Sequence, residues 1–153
     1  MYKYITTTAA LAFVVLSLTA CGDKEKNTTV TRYASDKCSL DSIGGKNDLI
    51  TYGKAGSTLM AGWAYDTTTK ASPKELQLRL AGATGSPETI KVTELLDRPD
   101  VVKAFNNSEI LKSGFSLNAD LSALKPGAYV ITIEIPHGGS MLVCNTQKTL
   151  VIE

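Results

Sequence analysis

Histidine is almost absent from this chain, and cysteine is scarce. Among 153 residues there is one histidine, His137, with three cysteines and one tryptophan. A lone imidazole confines any histidine-based acid–base mechanism to one position, and His137 sits between Pro136 and two glycines in an expected turn, where nothing nearby in sequence orients it. Cys38, Cys144 and His137 fall short of the four ligands of a structural zinc site and lack its short ligand spacing. Charge of one sign is not in excess either. The 16 Lys and Arg against 15 Asp and Glu leave a formal net charge of +1, so the basic footprint of a nucleic-acid binder is missing. No G-x-S-x-G elbow and no spaced Asp/Asn calcium loop occurs. Asp66, Asp97, Asp100 and Asp120 could pair as glycosidase carboxylates, yet they fall at strand ends and turns where Asp is ordinary. These absences lead to the expectation of a non-enzymatic protein without metal or cofactor.

Long apolar runs are also missing, except near the start. Ala9–Leu18 (AALAFVVLSL) follows Lys3 and closes on Leu18-Thr19-Ala20-Cys21. The charged, apolar, then small-residue order is that of a secretory signal peptide, too short for a spanning helix of roughly 20 residues. Leu-Thr-Ala-Cys resembles the lipobox of bacterial lipoproteins; the other reading is an ordinary signal peptide with a chance cysteine. The resemblance implies cleavage before Cys21, a diacylglyceryl group on its thiol and a further acyl chain such as palmitate on the new amino group. Two or more chains hold a protein stably on a membrane, each buried methylene contributing about 0.8 kcal/mol. Gly22 stands where an Asp would mark inner-membrane retention, so in a Gram-negative host the implied place is the outer membrane, facing periplasm or surface. Removing residues 1–20 removes Lys3 and no acidic residue, which leaves 15 basic and 15 acidic side chains. The expected division is a signal peptide at 1–20, a lipidated cysteine with a polar tether at 21–35, and one folded domain at 36–153.

Cys38 and Cys144 are the remaining cysteines, and in an exported protein an isolated pair is most simply a disulfide. It would close a loop of about 100 residues, for which chain entropy gives about 4 to 5 kcal/mol. Between them the sequence alternates. Glu75–Ala81 points Leu76, Leu78 and Leu80 one way; Phe115–Leu121 and Ala128–Ile135 behave alike through Phe115, Leu117, Ala119 and Tyr129, Ile131, Ile133, Ile135. Thr89–Glu94 repeats the pattern through Ile90 and Val92. Lys37–Ile43 opens the series, and Met141–Cys144 with Thr149–Ile152 close it. In Ser57–Asp66 the larger side chains Leu59, Trp63 and Tyr65, with Ala61, are expected to face the core. Period two with β-branched residues means half-buried strands. Leu124-Lys125-Pro126-Gly127 and Pro136-His137-Gly138-Gly139 supply turns. Arg98–Phe105 breaks the rhythm and reads as one or two helical turns, with Asp97 as a possible cap and Pro99 in the first turn.

About seven such strands predict an all-β, antiparallel, two-sheet sandwich with one short helical turn; a small β-barrel is the alternative. Leu124–Tyr129 (LKPGAY) is similar to a stretch of immunoglobulin-like bacterial domains. The most distinctive side chains are Trp63, Asp66, Arg98 and Asp100. Arg98 could pin Asp66 or Asp100 through its planar fork. Trp63 is either a core residue or, with Tyr65 and Arg98, part of a recognition surface. The function expected is a lipid-tethered binding module for another envelope or extracellular protein, with a carbohydrate-binding module or an inhibitor of a hydrolase or phage receptor as alternatives; the oligomeric state stays open.

Overall fold

Alternating side chains become nine strands in a computed structural model, which describes residues 29–153. Cys21 and the expected signal peptide lie outside those residues. The strands are β1 (Thr31–Ser35), β2 (Cys38–Ile43), β3 (Ile50–Gly53), β4 (Ser57–Ala64), β5 (Gln77–Gly82), β6 (Glu88–Lys91), β7 (Gly114–Asp120), β8 (Gly127–His137) and β9 (Ser140–Ile152). Between β6 and β7 lie helix α1 (Pro99–Phe105) and a single 3-10 turn at Ser108–Ile110. One sheet runs β1-β9-β8-β5-β6 with β3 also on β9, and the other runs β2-β4-β7. The result is a two-sheet sandwich and not a closed barrel.

The eight expected runs are all strand and pair antiparallel with one another, but they make seven strands, because Met141–Cys144 and Thr149–Ile152 are two parts of the single strand β9. The additional two, β1 and β3, pair parallel to β9 on its free edge: Thr31–Ser35 along Ser140–Cys144, and Ile50–Gly53 along Thr149–Ile152. The sheet is therefore mixed at that edge. It also moves the start of the domain, because residues 31–35, expected as the last part of the tether, are strand. Their side chains gave no signal because four of the five are exposed. What orders them is the backbone ladder to β9 and the Arg32 guanidinium, which bonds the Glu134 carboxylate on β8. Glu134 is almost wholly buried on the outer face of the large sheet and also accepts from Gln77 Nε2 at 2.9 Å.

Leu40, Met60, Leu78, Phe115, Ile131 and Leu150 meet in the core between the sheets, each nearly free of solvent. Burying side chains of this size stabilises by roughly 1.5–3 kcal/mol apiece. β4 presents the opposite face to the one expected. Met60, Gly62 and Ala64 point inward, while Leu59, Ala61 and Trp63 point away from the core. Gly62 is inward because Phe115 and β2 come close there. A Cβ on it would collide with the Ser39 carbonyl oxygen and lie 2.9 Å from Phe115 Cζ.

The Cys38–Cys144 disulfide is formed and joins β2 to β9, one strand from each sheet. The Leu124–Gly127 turn carries the chain from β7 to β8, also between sheets. The Tyr129 hydroxyl donates to the Lys125 carbonyl at 2.8 Å and so closes this corner. The LKPGAY stretch thereby acquires a physical role. Tyr129→Phe is expected to cost about 0.5–1.5 kcal/mol, read as a lower denaturant midpoint with unchanged slope. An unchanged midpoint would show that the corner holds without its hydroxyl.

Candidate functional site

Two features meet at the end of the sandwich where β4 and β8 finish. The first begins at Asp66, just beyond β4. Its Oδ1 accepts from the backbone N–H groups of Thr68 at 2.8 Å and Thr69 at 3.2 Å, an Asp-capped turn, and its own N–H donates to Ala71 O at 3.0 Å. Oδ2 lies 2.9 Å from Nδ1 of His137, the last residue of β8. Burial pushes the Asp66 carboxyl up, but the N–H donors of Thr69 and Thr68, then His137, outweigh it and hold the group below the usual carboxylate range.

His137 was expected as a turn residue that nothing orients; the structure corrects this. The β8–β9 hairpin brings the imidazole onto a buried carboxylate 71 residues away. The pair lines a cleft of about 230 Å³ whose walls also include Thr69, Ser72 and Lys74. Such a pair can accept and return a proton. No hydroxyl is bonded to it among the described residues: Ser72 Oγ donates to Glu109 O at 3.0 Å, and Ser140 Oγ donates to His137 O at 2.8 Å. No group of three His, Cys, Asp or Glu able to hold a metal ion occurs among the described residues.

The second feature covers the outer face of the small sheet. Trp63 and Tyr65 lie nearly parallel, 14° apart with centroids 6.3 Å from one another. Phe105, at the end of α1, meets Trp63 at 5.7 Å and Tyr65 edge-on at 5.3 Å. Tyr65, Val101 and Ile110 are buried, forming a second, smaller cluster with Trp63 and Val102. Trp63 is thus a packing residue, under the helix and not at the sandwich centre. Phe105 stays 38% exposed, and Lys37 Nζ stands 5.7 Å from its ring centre. Beside them is a concavity of about 310 Å³, floored by Tyr65 and Phe105 and rimmed by Lys37, Thr67, Lys70 and Asn107. Asn107 holds that rim, its Nδ2 donating to Lys70 O at 2.8 Å.

Arg98 fixes the start of α1, but not through Asp66. Its Nε and Nη2 grip both oxygens of Asp100 at 2.8 and 2.6 Å, and Nη1 reaches Asp41 on β2 at 2.8 Å. Of the two partners expected for Arg98, Asp100 is engaged and Asp66 is not, because Asp66 is taken by His137. The bond from Arg98 holds the Asp100 carboxyl down at about 2, and Asp100 in turn raises the guanidinium. Gly114 makes room, since a Cβ there would sit 2.6 Å from Arg98 Cγ. Asp97 makes an ion pair with Lys112 at 2.9 Å and does not cap the helix. Sequence reasoning missed Asp41 and the His137 pairing. Asp41 had a usable signal, a lone charge in a strand otherwise made of small and apolar residues.

The larger concavity, about 630 Å³, opens at the opposite end between residues 82–86 and 123–129, lined mostly by small and turn residues. Comparison with known proteins found no matching family model, no matching curated protein and no matching solved structure.

Asp66→Asn is expected to destabilise the fold near pH 7 by about 1 kcal/mol. Because the folded carboxyl lies below its unfolded value of 3.8, its contribution is present above that value and fades as pH falls through the folded one. Denaturant midpoints of wild type and variant should therefore converge on acidification below about pH 4. A gap that stays constant to pH 2 would contradict the Asp66 assignment.

Proposed function

We propose that this chain is a lipid-anchored protein of the cell envelope that acts as a non-enzymatic docking module for another envelope protein. Anchoring rests on the lipobox-like LTAC at Leu18–Cys21, and in a Gram-negative host Gly22 favours the outer membrane. The observation that carries the docking reading is the half-open aromatic concavity of Tyr65 and Phe105 with Lys37, Lys70 and Asn107 at its rim. Aromatic floors with polar rims suit the burial of one apolar anchor side chain from a partner, and the two lysines favour a partner acidic around that anchor.

Position supports an envelope partner over a freely diffusing one. Thr31 lies beside Ser140, and Ser140 beside His137, so the tether reaches the fold at the Asp66–His137 end. Ten peptide steps from Cys21 to Thr31 span at most about 35 Å. The concavity borders the same 66–71 loop, which would keep it near the membrane surface. A carbohydrate platform is disfavoured because the near-parallel Trp63 and Tyr65 rings pack against Phe105 and α1. The Asp66–His137 cleft favours one other reading, proton transfer at His137 Nε2; the lack of a bonded nucleophile keeps it second.

Two measurements test the proposal. Radiolabelled palmitate should mark the wild type and not Cys21→Ser, which should leave the membrane fraction; an unlabelled wild type removes the anchor. A photo-crosslinking residue at Phe105 should give a discrete adduct in living cells, while the same residue at Ala123, at the opposite end, should not. Equal labelling at both positions would count against a docking site at the aromatic end.

A further inference from the structure

The free edge of β3 has an order of side chains that matches a second copy run in the opposite direction. β3 is held on one side only: among the described residues its single strand partner is β9. Leu49 O accepts from Thr149 N at 2.8 Å and Gly53 O from Glu153 N at 3.0 Å. Backbone groups alternate along a strand, so Leu49, Thr51 and Gly53 point theirs toward β9, and Ile50 and Tyr52 point theirs to the open edge. Side chains alternate as well. Thr51 is buried beneath the sheet, whereas Ile50 and Tyr52 stand on its outer face, 52% and 59% exposed. Val130 on β8, which pairs with Thr149, adds an exposed apolar side chain to the same face.

One residue beyond each end of this hydrogen-bonded run stand Asp48 and Lys54, both exposed. They are equidistant from Thr51 and opposite in charge. We propose that two copies of this chain associate through an antiparallel β3–β3 ladder whose two-fold axis passes at Thr51. In that register Ile50 faces Tyr52 of the second copy, with both open-edge N–H and C=O groups satisfied, and Asp48 faces Lys54. β-branched residues opposite aromatics and opposite charges are the cross-strand pairs that stabilise sheets. Shifting the register by two residues keeps the backbone bonds but sets Asp48 opposite Tyr52 or Ile50 opposite Lys54, so charge complementarity selects the centre at Thr51. The same strand edge on both copies makes a closed, isologous contact that stops at two. The large sheet then continues through both molecules, and an otherwise open edge is covered.

The register is read by zero-length coupling of carboxylates to amines in the full-length purified protein, mixing copies of ordinary and heavy nitrogen. Within one chain Asp48 and Lys54 are about 20 Å apart along the strand, beyond direct coupling, so an Asp48–Lys54 link joins two copies. The expected result is a covalent dimer carrying that link between light and heavy chains. Tyr52→Pro removes an open-edge N–H and no bond to β9, and should raise the concentration needed for dimer by about tenfold. Asp48→Lys should weaken the dimer severalfold, and Asp48→Lys with Lys54→Asp should restore it, which keeps the test decisive if Tyr52→Pro does not fold. A protein that stays monomeric at all concentrations, a dimer without the Asp48–Lys54 link, or a charge swap that fails to restore association would each overturn the proposal.

Discussion

β9 is the constraint on which the remaining structure rests. Thirteen residues long, it pairs along one side with β8 through Ser140–Asn145 and Thr149–Ile152, and along the other with β1 and then β3. Cys144, within it, is bonded to Cys38 at the head of β2, so the same strand is covalently joined to the second sheet. Lys148 lies between the β1 and β3 segments, just after the left-handed Gln147, and takes a buried position in phase with Cys144 and Leu150. Its buried Nζ donates to Asn47 O and Oδ1 at 2.9 Å and to Asp48 O at 3.1 Å, and so holds the loop that delivers β3. A lysine ammonium removed from water is tolerable because three oxygens replace its hydration. Two parallel edge strands, the inter-sheet bond and the approach to the open edge at β3 all depend on this one segment.

The end that carries Asp66, His137 and the aromatic cluster follows from the same arrangement. The β8–β9 hairpin sets His137 at the rim of the large sheet, and β4 delivers Asp66 at the rim of the small one. Their pairing bridges the two sheets by a polar contact where the hydrophobic core gives out. Beside it the small sheet has apolar side chains on both faces, and α1 covers the outer one without sealing it. Phe105 remains partly open for that reason. Arg98 holds the helix start through Asp100 and Asp41, which fixes the distance between the ring cluster and β2.

Legibility in the sequence varied with how many neighbours each element has. β5, β7 and β8 are covered on one face by the core, and their alternation named the inward residues. β4 misled because Leu59, Ala61 and Trp63 are as apolar as Met60, Gly62 and Ala64; its outer face is partly covered at Trp63 by a helix whose docking no local pattern encodes, while Leu59 stays exposed. β1 and β3 were silent because edge strands are ordered by one ladder, not by burial. The Cys38–Cys144 bond was readable from an isolated cysteine pair in a chain expected to be exported. Arg98 with Asp100 lies within one turn and was foreseeable. Asp66 with His137 was not, since it depends on a hairpin tip meeting a loop from the other sheet.

The most direct measurement is equilibrium denaturation of the wild type beside Cys38→Ala/Cys144→Ala. If β9 is the joint between the sheets, the variant should lose about 4 kcal/mol, the entropy of a loop this long, with a still cooperative transition. A loss below about 1 kcal/mol would contradict that role, because the two sheets would then hold together without the bond between β2 and β9.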